Sequence, residues 1–242
     1  MSTNNHFWVG TSCLTLDVNT EKFPENVIGV SDIISIQSDL GNRIPDKSWM
    51  IYLLELFVDS PKKVPLELDL FCQFDNKNYF EAVFGGHNQY RFRNIVPQIS
   101  HSYHREIMTD GINNRIIYKL TDLNSGQHET FELTKENVKH PSIDISKVKF
   151  TGSANFSGLE WWNQVDTIPF PIRFEVGILL LQHIIKHNSR QNYYPFSVFK
   201  SDTDSLGKSY PISFDKIHII NDCICYYVLP GKTLKGIIYK TI

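Results

Sequence analysis

The sequence predicts an all-β protein, a single antiparallel two-sheet sandwich spanning residues 1–242. Three observations carry this reading. The chain holds 16 Phe, 11 Tyr and 4 Trp but only 3 Met, and aromatic residues are enriched in strands. Leu66, Leu68, Leu70 and Cys72 alternate with Glu67, Asp69, Phe71 and Gln73, the period of a half-buried strand. Turn clusters recur at spacings of about 8–14 residues, as in sandwiches and barrels.

Composition bounds the function. Hydrophobic residues make up 41% and charged residues 21%, the balance of a folded chain and not of a disordered one. Lys and Arg number 24 against 26 Asp and Glu, a net charge of −2. That argues against a nucleic-acid partner, which draws on a basic surface. No stretch has the run of about 18 apolar residues needed for a membrane helix; the nearest, Val176 to Ile185, contains Gly177, Gln182 and His183. Met1 to Trp8 has no basic segment leading into an apolar one, so the expectation is no signal peptide and a cytoplasmic protein. Cys13, Cys72, Cys223 and Cys225 are too scattered for a disulfide scaffold. On a strand, Cys223 and Cys225 would share a face, but no second Cys pair completes a zinc site, and buried thiols are the expectation.

Taken in order, the elements follow one grammar. Ser48 to Asp59 is a long apolar run between Pro45 and Pro61, and Pro65 to Phe74 alternates. A turn at 75–78 leads to a strand from Tyr79 to Phe84. Tyr90 to Ile95 and Ser102 to Met108 flank Pro97. Turn clusters at 110–114 and 124–126 separate Arg115 to Leu120 from His128 to Leu133. Val138 to Ser146 reads as an irregular connection. Near the carboxyl end come Ile212 to Ile220, Cys223 to Leu229 and Leu234 to Ile242. Residues 174–187 are ambiguous: Phe174, Ile178, Leu181 and Ile185 fit one helical face, and a strand fits nearly as well. The β surroundings favour strand.

Three strings carry candidate chemistry. In Phe156 to Gln164 the adjacent Trp161 and Trp162 cannot both face one core. A Trp beside Glu160 and two amides can stack on a sugar ring while the polar groups bind hydroxyls; equally, one Trp fills the core and the other covers a sheet edge. Gly85-Gly86 precedes His87, Gln89, Arg91 and Arg93. If this stretch is extended, the last three share a face and form a polar binding row, or else the solvated side of an ordinary hairpin. His101 with His104, and His183 with His187, have spacings that metals use, but Ile184 stands where the zincin Glu would follow. No metal and no cofactor is called for, and no phosphate-binding Gly loop or GxSxG elbow occurs.

The combination resembles a concanavalin A-like jelly-roll sandwich. Trp8-Val9-Gly10, Gln37-Ser38-Asp39-Leu40-Gly41, the turn Asp122 to Gly126, and Glu160-Trp161 further resemble strings of the glutamic peptidases, the eqolisins. That resemblance implies a catalytic pair, Gln37 and Glu160, with Glu160 as general base on water and Gln37 stabilising the oxyanion. Three functions therefore stand side by side. The first is binding or processing of an extended saccharide on a concave sheet, through Trp161, Trp162, His87, Gln89, Arg91 and Arg93. The second is carboxylate hydrolysis, of peptides by Gln37 and Glu160, or of glycosides with Glu81 or Glu106 as second carboxylate. The third is a protein-interaction domain without catalysis.

Overall fold

A computed structural model describes residues 5–12, 27–40, 48–60, 62–74, 77–110, 115–139, 144–145, 148–163, 176–187, 197–201, 212–220, 223–230 and 238–239. Side chains are described for 28–36, 51–58, 64–72, 77–110, 115–139, 144–145, 148 and 157–158. Described residues form strands and no α-helix: β1 (Asn5–Ser12), β2 (Val27–Leu40), β3 (Ser48–Ser60), β4 (Lys62–Phe74) and β5 (Lys77–Phe84). These are followed by β6 (His87–Arg91), β7 (Ser102–Asp110), β8 (Arg115–Asp122), β9 (His128–Leu133) and β10 (Lys149–Asn163). The last are β11 (Val176–His187), β12 (Ser197–Ser201), β13 (Ile212–Ile220), β14 (Cys223–Pro230) and β15 (Ile238–Tyr239).

These strands make two antiparallel sheets, ordered β15-β12-β1-β10-β3-β4-β5-β6 and β13-β14-β11-β2-β7-β8-β9. The ambiguous segment 174–187 supplies strand β11, paired with β2 and β14. β6 starts earlier and stops sooner than the expected Tyr90 to Ile95, because Gly85 and Gly86 take φ of 59° and 75° and close a tight hairpin after β5. Two successive positive φ values suit the twist of a hairpin and are tolerated best by glycine. Of the expected strand Leu234 to Ile242, Ile238–Tyr239 lies within the described residues.

The sheets pack through one face each. Tyr52, Leu54, Leu56 and Val58 of β3 meet Leu66, Leu68, Leu70 and Cys72 of β4, all buried. From the other sheet come Val30, Ile34 and Ile36 of β2, Tyr103 and Ile107 of β7, and Ile116, Tyr118 and Leu120 of β8. The period of two therefore delivers the core directly from the alternating runs. Each fully buried aliphatic or aromatic side chain contributes about 1.5–3 kcal/mol relative to exposure. Burial also pushes the Cys72 thiol up to about 12, with Arg105 opposing in part. Gly29 sits where β2 meets β7, and a Cβ there would lie 2.2 Å from the Ile107 carbonyl oxygen. That close approach demands glycine.

Polar groups also cross the core. Arg105, on the apolar face of β7 and wholly buried, spends all five guanidinium N–H donors on protein. Its Nε and Nη2 donate to Asp32 Oδ1 and Oδ2 on β2, at 2.9 and 2.6 Å. The other three donors reach carbonyls of the opposite sheet: Tyr52 O and Leu68 O at 2.7 Å, and Leu53 O at 3.1 Å. The paired positions of β3 and β4 break off at Tyr52↔Leu70 and resume at Glu55↔Glu67 in the same register. The guanidinium thus occupies an opening in the ladder and satisfies the carbonyls that the opening would strand. Ser157 of β10 completes the clasp, donating its hydroxyl to Asp32 Oδ2 at 2.6 Å.

At one end of the sandwich, Asp122 organises the turn after β8. Its Oδ1 accepts from the Asn124 and Ser125 amides, and its Oδ2 lies 2.9 Å from His101 Nδ1. Burial alone would raise this carboxyl, but the hydrogen bonds from His101, Asn124 and Ser125 outweigh it and hold the group below its ordinary value. A carboxyl depressed in the folded state stabilises above its unfolded pKa of about 3.9, and that contribution is lost as pH falls toward the folded value. Urea unfolding at pH 6 and pH 3 should therefore show a smaller acid-induced decline for Asp122→Asn than for the wild type. An equal decline in both proteins contradicts this.

Candidate functional site

The eight-stranded sheet has a second face, turned away from the core cluster, and its side chains are unusual for a solvent side. Ile51 and Leu53 of β3, Phe71 of β4, and Tyr79 and Val83 of β5 are all buried there. They belong to the strand phase opposite the core residues. Among them stand carboxylates: Glu55, Glu67, Asp69 and Glu81 occupy the same phase. Asp69 is 1% exposed and Glu81 5% exposed, and the two are direct cross-strand partners. Directly opposed Cβ atoms lie about 4.5–5.5 Å apart.

Aromatic rings floor this region. Phe71 and Tyr79 stack with centroids 4.9 Å apart at 15°. The Arg91 guanidinium carbon sits 3.7 Å above the Tyr79 ring centroid, and its Nε is 4.0 Å from Glu81 Oε1. Glu81 Oε2 is buried and has no hydrogen-bond partner. Burial raises the Glu81 carboxyl above its ordinary value, and the charges of Arg91 and Lys139 oppose the rise.

Glu160 connects with this face through the backbone. It pairs with Trp8 of β1 on one side and Ile51 of β3 on the other. Ile51 pairs with Phe71, and Phe71 with Tyr79. One row of cross-strand positions therefore runs Trp8, Glu160, Ile51, Phe71, Tyr79. Trp161 pairs with Phe7 and Met50, and Trp162 with His6 and Trp49. The side chains of Glu160, Trp161, Trp162 and Gln37 lie outside the described residues. Gln37 belongs to β2, in the seven-stranded sheet, while Glu160 belongs to β10 in the eight-stranded one. The strands that carry them are joined across the sandwich by the Asp32–Ser157 hydrogen bond.

The expected row of Gln89, Arg91 and Arg93 is broken. β6 carries an extra residue between Tyr90, opposite Ala82, and Asn88, opposite Val83. This bulge falls at Gln89 and turns it inward, where it is buried. Its amide is consumed internally: Nε2 donates to His87 O at 2.7 Å, and Oε1 accepts from the Lys139 amide at 2.9 Å. Arg91 lies over Tyr79. Arg93 is beyond the strand, its backbone amide donating to the Glu129 carboxylate. His87 is exposed in the hairpin. Glu129 also accepts from Tyr90 Oη at 2.7 Å and from the Asn94 amide at 2.8 Å. It is a buried bracket for this loop that the sequence reading passed over.

The candidate second carboxylates are similarly dispersed. Glu81 stands three strand spacings across from Glu160, about 14 Å at a spacing near 4.8 Å, and two residues further along its strand. A glycosidase pair needs about 5–10 Å. Glu106 is on β7 of the other sheet, 3.4 Å from Lys119 Nζ and 3.7 Å from His104 Nδ1. His101 is engaged with Asp122, as described above. Among the described residues no group of three His, Cys, Asp or Glu is placed to hold a metal ion, and no helix is long and apolar enough to cross a membrane. His183, His187, Cys223 and Cys225 are on β11 and β14, their side chains outside the described residues.

This sandwich is similar to that of scytalido-glutamic peptidase, solved with a transition state analog inhibitor. The two share a TM-score of 0.50 and 11% identity, over 94% of this chain and 98% of that one. A second structure of that peptidase, with a peptide based transition state analog, matches at a TM-score of 0.46 and 10% identity, with the same coverage. SCP-B, a member of the eqolisin family of peptidases in a complex with the tripeptide Ala-Ile-His, gives 0.45 and 9%, again over 94% and 98%. At such identities the first match establishes a shared fold. No protein-family model and no curated protein sequence matches the chain.

Proposed function

We propose that the protein is a hydrolase of peptides with Glu160 as its general base. The observation that carries this reading is the match of the whole sandwich to a glutamic peptidase, in a chain whose Glu160-Trp161 lies on an inner strand of the eight-stranded sheet. Fold alone does not establish activity; the residues must supply the chemistry. In this reading the Glu160 carboxylate takes a proton from water, and the water oxygen bonds to the scissile carbonyl carbon. The C–N bond then breaks, and the proton passes from the Glu160 carboxyl to the departing amine. No oxyanion donor is assigned: Gln37 lies on the seven-stranded sheet, whereas Glu160 holds a position in the row of Ile51, Phe71 and Tyr79, on the face of the eight-stranded sheet turned away from it.

A saccharide ligand gains no comparable support. The polar row on which it rested is interrupted at Gln89, and the two-carboxylate arrangement is too wide. The test is digestion of a proteome-derived peptide mixture from pH 3 to pH 8, with new termini read by mass spectrometry. Reproducible cleavage at defined sites is expected. Intact peptides at every pH overturn the proposal.

A further inference from the structure

The turn after β8 and the loop that enters β7 bring an acid and an imidazole together at one end of the sandwich. Asp122, buried, has Oδ2 2.9 Å from His101 Nδ1, while its Oδ1 accepts from the Asn124 and Ser125 amides. An ionised carboxylate only accepts, so Nδ1 carries the proton and Nε2 keeps its lone pair. The ring is also held on its face, stacked on Tyr103 with centroids 6.3 Å apart at 26°. The side chain is 26% exposed, and among the described residues Nε2 has no hydrogen-bond partner. The backbone just before it is strained. Ser100 takes a φ of 69°, a left-handed value uncommon outside glycine. It is pinned there by its N–H, which donates to Ile36 O at 2.7 Å, and by the Ile36 N–H, which donates to His101 O at 2.9 Å. Strain of this kind persists where surrounding contacts over-determine it, and it clusters at functional segments. Among the described residues the exposed large apolar side chains are Val96, Ile99 and Leu123, and all lie on the two segments that meet here. Leu123 N–H donates to Ser102 O at 2.8 Å and Ser102 N–H to Asn124 Oδ1 at 2.7 Å, joining those segments.

We propose that His101 and Asp122 form a second hydrolytic centre, for small carboxylic esters with a short apolar acyl group. It needs nothing from Glu160. His101 is the catalytic residue, and Asp122 positions it. Nε2 takes a proton from water as the water oxygen bonds to the ester carbonyl carbon, and the Asp122 charge stabilises the imidazolium that forms. The C–O bond then breaks, and the same proton passes from Nε2 to the departing alkoxide, leaving a carboxylic acid and an alcohol. Ile99, two residues before His101, and Leu123, next to Asp122, offer the acyl chain an apolar surface. An ester suits one base better than an amide does, because an alkoxide is the better leaving group.

Hydrolysis of p-nitrophenyl butyrate and p-nitrophenyl acetate by the full chain, near neutral pH, tests this. The wild type should exceed free imidazole at equal concentration by about 10²-fold or more, within the range that a positioned base supplies. His101→Gln should remove the excess. His104→Gln, at a histidine beside Glu106 on β7, should keep it. Asp122→Asn, checked for folding by circular dichroism, should lower kcat about tenfold with KM unchanged, a split that loosening of the turn does not produce. Ile99→Ser should raise KM for the butyrate and not for the acetate. Diethyl pyrocarbonate on the wild type gives a reading that needs no variant to fold: activity should fall in step with label at His101, mapped by mass spectrometry, and not with label at His104. A wild-type rate no higher than that of free imidazole overturns the proposal. So does an equal loss in the two histidine variants, or activity that survives full label at His101. Unchanged kcat in Asp122→Asn overturns the role of the carboxylate, and equal KM changes for the two esters overturn the acyl preference.

Discussion

Arg105→Met is expected to destabilise the fold by about 3–5 kcal/mol, the usual cost of removing one partner from a buried ion pair. The loss has two sources. Asp32, fully buried, would keep only the Ser157 hydroxyl among the partners seen here. The carbonyls of Tyr52, Leu53 and Leu68 would lose their donor inside an opening that β3 and β4 do not bridge themselves. The double variant Arg105→Met/Asp32→Leu should recover a good part of the loss, because it removes the stranded charge. It should not recover all of it, since the three carbonyls remain. Urea unfolding of wild type, both single variants and the double variant gives the comparison. A shift within about 1 kcal/mol for Arg105→Met would show that water or a neighbouring group replaces the guanidinium, and would sink the claim.

Glu160→Gln is expected to lower kcat by about 10²–10⁴-fold with KM little changed, the signature of a lost proton acceptor that does not hold the ground state. The substitution preserves volume on a strand paired on both sides, so the melting temperature should stay close to that of the wild type. Gln37→Ala, on the other sheet, is the control and should leave kcat within a few-fold of the wild type. Full activity in Glu160→Gln would rule out that residue as the base. A large loss of activity in Gln37→Ala at unchanged stability would contradict the placement of the two residues on separate faces. These outcomes separate chemistry from folding, because Arg105→Met should lower both stability and activity.

The architecture was legible because its signal is local. The alternation in β4 and the turns at Gly85-Gly86 and Asn124 to Gly126 follow from pleat geometry and φ preferences within a few residues. The site was less legible because its determinants are relations between strands. A one-residue bulge at Gln89 leaves no compositional trace, yet it reverses the phase of everything after it. Nothing short of the register reveals that Asp69 faces Glu81, or that Glu160 shares a row with Tyr79. The clasp did leave a trace. Asp32 lies on the apolar phase of Val30, Ile34 and Ile36, and Arg105 on that of Tyr103 and Ile107. Opposite charges on the buried phase of two strands are a legible sign of a buried pair.

The opening in the β3–β4 ladder also bears on how the chain reaches its fold. β3 and β4 are neighbours in sequence and can meet early, but their pairing contains an opening that, among the described residues, Arg105 fills from 37 to 53 residues away. Asp32 is 73 residues from Arg105 and 125 from Ser157. Contacts of such separation characterise slow-folding β topologies. Until they form, the early hairpin exposes unpaired carbonyls and strand surface, the features that draw partly folded chains into aggregates. The group that stitches the finished sandwich together thus draws its partners from distant parts of the chain, tying local pairing to global closure.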